Sequence, residues 1–357
     1  MAADLHLARR IWKSRPDLEK DSFLALAALS GALLHQGNPK PTALLLAGDI
    51  FDASKLDGST LNAFTMFADE LYEADVPVYF VQGNHDYDKM PHAQVQGNTC
   101  INEQLVEIDG QKVYGLDWRP RQQLRAALES VPECDLLLLH AAFEHLLGFE
   151  GAYDLSLEDI PPHVKNVFVG DIHVRDTTRL NGKGWCVSPG ALHPCNMAQG
   201  GPHGYVTWEG GESEFEFVDI PTRDIIRCQV EAETCLEELA QILANSTPAE
   251  GYDHLAPIVE IKFPNEFTDA VTRLVLKHDG TFPFFVKGSA AGKSLTIAEL
   301  KKYQESFQRM NLADSLDVIV DPEAQPRLFG LVEALLQSNN PQDVIDQEME
   351  RLCAQAS

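Results

Sequence analysis

Leu44-Leu-Leu-Ala-Gly-Asp-Ile-Phe-Asp52 is an apolar run that stops at a Gly-Asp pair. Such a run is typical of a buried strand whose carboxyl end enters a cleft, where open α/β sheets carry their functional groups. Asp49 is the carboxylate that this strand would deliver. Gly-Asp alone is weak evidence because both residues are common in turns. The interpretation therefore depends on what the rest of the chain places beside Asp49.

Aspartate, asparagine and histidine recur at the ends of further apolar runs. These groups are Asp4-Leu-His6, Gly83-Asn-His-Asp86, His140 and Gly170-Asp-Ile-His173. We expect them to converge with Asp49 at the carboxyl edge of a sheet. Only Met1-Ala-Ala precedes the first group, so we expect either a shortened first strand, with Asp4 and His6 weakly held, or a start several codons further upstream.

Composition indicates a soluble globular protein of two or three domains, with 357 residues, 44% hydrophobic and 23% charged. The balance of 54 acidic against 28 basic residues, a net charge of −26, repels nucleic acid unless basic residues cluster locally. One segment, Ala8-Arg-Arg-Ile-Trp-Lys-Ser-Arg15, has that character. It fits either a solvated loop or a contact with DNA phosphates. The DNA-binding candidates are Arg9, Arg10, Lys13 and Arg15.

Cysteine usage points to reduced thiols in a cytoplasmic protein, because the seven cysteines are scattered and form no Cys-x-x-Cys pair. A metal set of Cys186, His193 and Cys195 is disfavoured, since no second pair completes a tetrahedral site. No apolar run approaches the ~18 residues that span a bilayer, and there is no signal peptide. We expect no membrane partner.

Hydrophobic periodicity predicts an α/β fold over residues 1–221. Apolar residues at helical spacing predict helices over 21–34, 59–73 and 121–128. Buried strands are predicted to end near Ala47, Val81, His140 and Val169, and hairpin turns are indicated at 109–110, 181–182 and 210–211. Alternating strands and helices followed by meanders indicate a layered sandwich with helices on its outer faces.

Two further domains are predicted after Pro221. Residues 222–290 alternate strand and helix, as expected for a small α+β module. Gly288-Ser-Ala-Ala-Gly-Lys-Ser294 is one residue short of a phosphate-binding loop, which argues against nucleotide binding. Residues 291–357 predict a helical hairpin, which either packs on its own domain or docks on helices of another chain.

The donor set predicts a binuclear metal site. Seven carboxylate, imidazole and amide donors are too many for one ion and suit two ions that share Asp49. Donors without thiolate indicate manganese, iron or catalytic zinc rather than a structural zinc site. The first ion is assigned Asp4, His6, Asp49 and His173, and the second Asp49, Asn84, His140 and Asp171. His85 is left unligated, placed to stabilise charge on phosphorus or to protonate the leaving oxygen.

These motifs resemble those of the calcineurin-like metallophosphoesterases: D-x-H, G-D, G-N-H-D/E, H and G-H-x-H. Within that family the chain is similar to the SbcD-type DNA repair nucleases over residues 1–222. The segments that carry this closer likeness are Ala2-Ala-Asp-Leu-His-Leu7, Ala47-Gly-Asp-Ile-Phe-Asp52, Val187-Ser-Pro-Gly-Ala-Leu192, Gly204-Tyr-Val and Ile220-Pro-Thr222. Asp171 stands where the family usually has histidine, which keeps a donor but alters the second site.

The resemblance implies an α/β/β/α metallophosphoesterase sandwich, then a DNA-capping domain and helices that dock on an SbcC-type coiled-coil ATPase. It implies manganese-dependent endonuclease and 3′-to-5′ exonuclease cleavage of DNA in repair and recombination, gated by that ATPase, with a homodimer as a further assembly. Two other functions stay open. One is a phosphoesterase for small phosphodiesters or phosphoproteins, and the other is an inactive scaffold that binds DNA ends or the ATPase.

Overall fold

The computed structural model describes residues 1–9, 18, 20–35, 39–52, 56–86, 95, 97–147, 153–180, 182, 184–211, 213–246, 255–288 and 294–302. These residues form two compact units. The first contains the described residues up to Ile226 together with 255–257, and the second contains 227–246, 258–288 and 294–302. The predicted domain boundaries at residues 221 and 290 stay a prediction.

The first unit alternates helices and strands along the chain, as predicted. Its helices are α1 (Asp21–Leu34), α2 (Gly58–Glu73) and α3 (Arg121–Leu128). Its strands are β1 (Leu44–Ala47), β2 (Val78–Val81), β3 (Asn98–Cys100), β4 (Leu105–Ile108), β5 (Gln111–Leu116), β6 (Cys134–His140), β7 (Val164–Gly170), β8 (Arg175–Leu180), β9 (Gly184–Pro189), β10 (Gly204–Thr207) and β11 (Glu216–Asp219). Short 3-10 turns lie at Glu144–Leu146 and Leu157–Asp159.

These strands form two larger sheets and one antiparallel pair, β10 with β11. One sheet has the order β1-β2-β3 and is parallel throughout. The other has the order β4-β5-β6-β7-β9-β8, with parallel inner neighbours and antiparallel pairs at both edges. Parallel neighbours place their carboxyl ends at the same edge, which is where the predicted ligands lie.

Alternate residues of β1 face different cores, because successive side chains of a strand point to opposite faces. Leu44 and Leu46 pack with α1 and α2, whereas Leu45 and Ala47 pack into the core between the two sheets. Residues of β6 divide in the same way between the core under α3 and the core between the sheets. The first unit is therefore the predicted α/β/β/α sandwich.

The first seven residues lie beside β1 even though they form no labelled strand. Ala2 bridges Leu46 in parallel, with hydrogen bonds from the Ala2 N–H to the Leu45 carbonyl at 2.9 Å and from the Ala47 N–H to the Ala2 carbonyl at 3.0 Å. The Asp4 N–H then donates to the Gly48 carbonyl at 3.1 Å. Asp4 is fully buried, so the expectation that this group is weakly held is wrong for the described chain.

The second unit follows the predicted alternation of strand and helix. The strands of its sheet are β12 (Ile225–Gln229), β13 (Ile258–Phe263), β14 (Phe284–Gly288) and β15 (Ser294–Leu295), and its helices are α4 (Glu233–Asn245) and α5 (Thr268–Lys277). A 3-10 turn, Asn265–Phe267, precedes α5. The centre of the rejected phosphate loop, 289–293, and the predicted helical hairpin lie outside the described residues. In the described part of the chain, every helix is too short or too polar to cross a bilayer.

Candidate metal centre

Several predicted ligands have backbone conformations that ordinary residues rarely adopt. Asp4, His6, Asp49 and Asp171 have φ angles of 52°, 42°, 52° and 98°. A left-handed backbone conformation at a residue other than glycine costs free energy. It persists where the surrounding structure holds it, often at functional sites. Each follows a strand or the N-terminal segment beside β1, so the turn after each strand directs a polar side chain into one cleft.

Asp49 lies at the centre of this cleft. Its Oδ2 is 3.5 Å from Nε2 of His6, and its Oδ1 is 3.5 Å from Nε2 of His140. The backbone N–H of His85 also donates to Oδ1, at 2.9 Å. A Cβ on Gly83 would collide with the Asp49 carboxylate, so the close approach of the two loops requires glycine at that position. One carboxylate therefore contacts imidazoles on two sides.

Two imidazoles meet on the first side of Asp49. Nε2 of His6 lies 2.9 Å from Nε2 of His173, which is in turn 3.8 Å from Oδ1 of Asp4. The N–H of Asp171 donates to the Asp4 carboxylate at 3.1 and 3.2 Å to its two oxygens. Because β7 ends just before Asp171, this bond joins the N-terminal segment to the end of the six-stranded sheet.

His140 organises the second side. Its Nδ1 donates to the Ala47 carbonyl at 2.7 Å, which assigns a proton to Nδ1 and directs Nε2 into the cleft. That Nε2 lies 3.1 Å from Oδ1 of Asn84 and 3.5 Å from Oδ1 of Asp171. The strands β1, β2, β6 and β7 thus each contribute a side chain at their carboxyl ends.

The protonation tendencies of these groups differ with their surroundings. Burial lowers the pKa of His6 well below its usual value and that of His173 to about 4. Burial alone would also lower the pKa of His140, but the carboxylates of Asp49, Asp171 and Asp4 raise it well above the usual value. Burial, with the charges of Asp49 and Asp171, raises the pKa of Asp4. Bringing carboxylates and neutral imidazoles together in a buried cleft favours a cation.

The donors fit a divalent metal ion. Two sets of three side chains around Asp49 have one ligand atom each within 4.8 Å of one another: His6 with Asp49 and His85, and Asp4 with Asp49 and His140. Carboxylate and imidazole donors with open positions are those that catalytic zinc, manganese and iron use. All seven predicted ligands and His85 come together in one cleft.

Comparison with known proteins identifies the family. The calcineurin-like phosphoesterase family model matches residues 1–207, more than half of the chain. The chain belongs to the calcineurin-like phosphoesterase family. The motifs predicted this membership.

Relatives of this phosphoesterase include several DNA double-strand break repair proteins named Mre11. The Aeropyrum pernix protein is 24% identical over 72% of this chain and 71% of its own length. The Saccharolobus solfataricus protein is 24% identical over 48% of each chain, and the Nanoarchaeum equitans protein 33% identical over 24% of this chain and 22% of its own. The chain thus spans half or less of the length of the Saccharolobus solfataricus and Nanoarchaeum equitans proteins. A protein of unknown function from Aquifex aeolicus matches with a TM-score of 0.26 and 20% identity, covering 38% of this chain and 74% of its own.

Asp52 is a site residue that the motifs did not reveal in the phosphoesterase. Its Oδ1 lies 3.0 Å from Nδ1 of His6, 2.9 Å from Nη1 of Arg9 and 3.5 Å from Nδ1 of His85. The carboxylate therefore orients two imidazoles at once. Its signal in the sequence is its place three residues after Asp49, where the loop returns to the cleft.

Asp86 braces the loops of the phosphoesterase. Its buried carboxylate accepts hydrogen bonds from the N–H groups of Ile50, Phe51 and Gly83 at 3.1, 3.0 and 3.0 Å. Burial, with the nearby Asp49 charge, raises its pKa to about 6 despite these bonds. Asp86 thus ties the loop after β1 to the loop after β2.

Arg9, predicted to contact DNA, is engaged inside the phosphoesterase. Besides the ion pair with Asp52, its Nε donates to the Cys195 carbonyl at 3.1 Å. Its role toward DNA stays a prediction. The other three candidates, Arg10, Lys13 and Arg15, lie outside the described residues.

A thiol that is absent from the predicted donor set lies beside the cleft. Cys195 is fully buried, and its Sγ lies within 4.8 Å of ligand nitrogens of His6 and His173. The other members of the disfavoured metal set are elsewhere: Cys186 belongs to the core under α3, and Nε2 of His193 contacts the Leu5 carbonyl at 3.1 Å. Cysteine spacing could not reveal this contact, because the imidazoles come from other segments.

Proposed function

We propose that the chain is a two-metal-dependent DNA nuclease with endonuclease and 3′-to-5′ exonuclease activity. The observation that carries this proposal is the position of Asp49, 3.5 Å from His6 on one side and 3.5 Å from His140 on the other. A shared carboxylate is what two ions about 3.5–4 Å apart require. The Mre11 names of the relatives favour DNA as the substrate.

The ligands divide around Asp49 into two positions. We assign the first-ion position to Asp4, His6, Asp49 and His173, and the second-ion position to Asp49, Asn84, His140 and Asp171. Manganese is the proposed metal for a set dominated by carboxylate and imidazole. When bound, such ions clamp the phosphodiester, act as Lewis acids and lower the pKa of bound water.

His85 is proposed as the catalytic residue of the chain itself. Its ring is held through Nδ1, 3.5 Å from Asp52, so its Nε2 points away from that carboxylate. The side chain is 39% exposed, unlike the buried ligands, and is therefore open to a substrate. In this position Nε2 protonates the leaving oxygen or stabilises negative charge on the phosphoryl group.

The proposed setting is a cytoplasmic DNA repair and recombination complex. Its SbcC-like ATPase partner would bind the C-terminal helices predicted over 291–357, and two copies of the chain would form a homodimer. Free thiols at the described cysteines agree with a reducing compartment. A net charge of −26 favours the second candidate, a phosphoesterase for small phosphodiesters or phosphoproteins, because it opposes DNA binding by the chain alone.

The test compares two substrates and two histidine variants of the full chain. With manganese, the unaltered chain should hydrolyse bis(p-nitrophenyl) phosphate and cleave linear and hairpin DNA. His85→Asn should lower kcat/KM on both by about 10²–10⁴-fold, the usual contribution of a positioned acid or base. His163→Asn is the matched control, because exposed His163 precedes β7 at the end opposite the cleft.

Metal content separates the roles of His85. One ring nitrogen of His85 lies within 4.8 Å of ligand atoms of His6 and Asp49. Loss of bound manganese in His85→Asn would therefore identify His85 as a metal ligand. Undiminished DNA cleavage by His85→Asn would overturn its catalytic role. Hydrolysis of the small diester without DNA cleavage would favour the second candidate, and failure to bind metal would favour an inactive scaffold.

A further inference from the structure

A buried thiol stands beside the imidazoles of the first-ion position. The sulfur of Cys195 and one nitrogen each of His6 and His173 lie within 4.8 Å of one another. Tetrahedral zinc binds sulfur at about 2.3 Å and nitrogen at about 2.0–2.1 Å. Ligand atoms that share one zinc ion therefore lie within a few ångströms of one another, as these three atoms do. Both imidazoles are assigned to the first-ion position, so the neighbouring thiol is close enough to bind the same ion.

The loop that carries Cys195 is fixed to the same residues. The Cys195 N–H donates to Oε1 of Gln199 at 2.7 Å, and the Gln199 side chain also hydrogen-bonds His173. The Cys195 carbonyl accepts a hydrogen bond from Nε of Arg9 at 3.1 Å. The N–H of Leu192, earlier in the same loop, donates to the Asp4 carbonyl at 3.3 Å. The thiol is therefore held at this position by bonds to the cleft.

The nitrogen lone pairs of the imidazoles are available to a metal ion. Nδ1 of His6 lies 3.0 Å from Asp52, which favours the tautomer with its proton on Nδ1. Its Nε2 then faces Nε2 of His173 at 2.9 Å, and a cation held by both nitrogens satisfies both rings.

The surroundings of Cys195 differ from those of a core cysteine. Its carbonyl accepts a hydrogen bond from Arg9 at 3.1 Å, and its sulfur lies within 4.8 Å of ring nitrogens of His6 and His173. Cys186, by contrast, packs in the apolar core under α3. The thiol proton of Cys195 now points to the His193 carbonyl, at 3.4 Å from the sulfur.

We propose that Cys195 is a sulfur ligand of the first-ion position, together with His6 and His173, and that it makes this position prefer zinc or cobalt(II) over manganese. On binding, the sulfur–metal bond forms, the thiol proton passes to solvent, and no electrons are transferred. Thiolate and imidazole favour zinc, whereas the oxygen-rich second-ion position suits manganese. The centre is then heteronuclear. This inference rests on the proposed binuclear site.

Cobalt(II) absorption tests the inference without reference to activity. The metal-free full chain is titrated with cobalt(II), and the sulfur-to-cobalt charge-transfer band in the near ultraviolet is recorded. At saturating cobalt(II), wild type should show this band, and Cys195→Ser should lack it while binding the same number of cobalt ions. Cys186→Ser is the control and should keep the band, because this cysteine is equally buried but lies in the apolar core.

Competition between zinc and manganese gives a second measurement. Cys195→Ser should lose at least about 10–100-fold in zinc affinity, because even a group that only supports a ligand contributes that much, and should lose little in manganese affinity. Wild-type protein that binds cobalt without a sulfur band would overturn the role of Cys195 and leave the binuclear site standing, whether or not the variants fold. Failure of the wild type to bind any cobalt would overturn the site and the inference together.

Discussion

The two sides of Asp49 hold the same kinds of side chain in opposite electrostatic settings. On the imidazole side, His6 and His173 meet at 2.9 Å and burial lowers the pKa of both rings. On the carboxylate side, His140 lies among Asp49, Asp171 and Asp4, whose charges raise its pKa in spite of burial. A histidine at a strand end therefore has no fixed protonation state, and the carboxylates around it determine that state.

In the proposed binuclear centre, this difference in protonation determines how each side would bind a cation. Neutral imidazoles offer lone pairs to a cation directly, whereas the carboxylate side must first release the protons that its clustered charges attract. The residues behind the ligands reinforce the contrast. Asp52 supports the ring of His6 through Nδ1, while a backbone carbonyl, that of Ala47, supports His140.

Substitution of the residue that both sides share should have the largest effect. Asp49→Asn removes a charge that contacts His6 and His140, each at 3.5 Å. Charge stabilisation by metal amounts to several kcal/mol, so we expect kcat/KM to fall about 10³-fold or more. The measurement is hydrolysis of a small diester together with metal content. Binding of two ions with normal affinity by Asp49→Asn would show that the two sides are independent.

Substitution of Asp52 should affect the imidazole side selectively. Asp52→Asn keeps the size of the side chain but removes the charge that orients His6 and His85. Loss of such a partner typically costs about 10–100-fold in metal affinity or activity. Calorimetric titration should show one weakened site and one unchanged site. Asp69→Asn, on the exposed face of α2, is the control, and equal weakening of both sites by Asp52→Asn would contradict the separation.

The candidate ligands after β1, β2, β6 and β7 could be predicted from the sequence because each follows a recognisable strand. β1, β2, β6 and β7 are apolar runs, and parallel strands place their carboxyl ends together. The sandwich could be predicted for the same reason, since alternate leucines of the run at 44–47 must be buried on both faces. The expectation of a loosely held N-terminus failed because backbone hydrogen bonds between Ala2 and β1 leave no pattern in side chains.

The supporting residues could not be predicted, because their contacts join distant segments. Asp52 and His6 are 46 residues apart, and the Arg9 guanidinium meets a carbonyl 186 residues away. Cys195 was set aside for want of a second cysteine pair, yet its neighbours are imidazoles from two other segments. Sequence spacing identifies candidate ligands within one loop. It misses contacts between distant segments that only the folded chain brings together.

The smallest expected difference between the two sides is the number of protons released on metal binding. Asp4 and His140 have folded pKa values raised above the usual values of about 3.9 and 6.5. In the metal-free protein their contribution to stability is complete below those values and is lost as pH rises through the folded pKa. His6 and His173 have lowered values, so their contribution is present above about pH 6.5 and is lost as pH falls, toward pH 4 for His173.

Metal affinity should therefore rise with pH, by about tenfold per pH unit for each proton displaced. Calorimetry of manganese binding near neutral pH, in buffers of different ionisation enthalpy, counts these protons. Asp171→Asn should release fewer protons per ion bound than wild type, because it removes a charge that raises the pKa of both Asp4 and His140. His173→Asn should leave the count unchanged, since its ring is already neutral there. If His173→Asn lowered proton release as much as Asp171→Asn, the two sides would not differ in protonation, and the contrast between them would have to be abandoned.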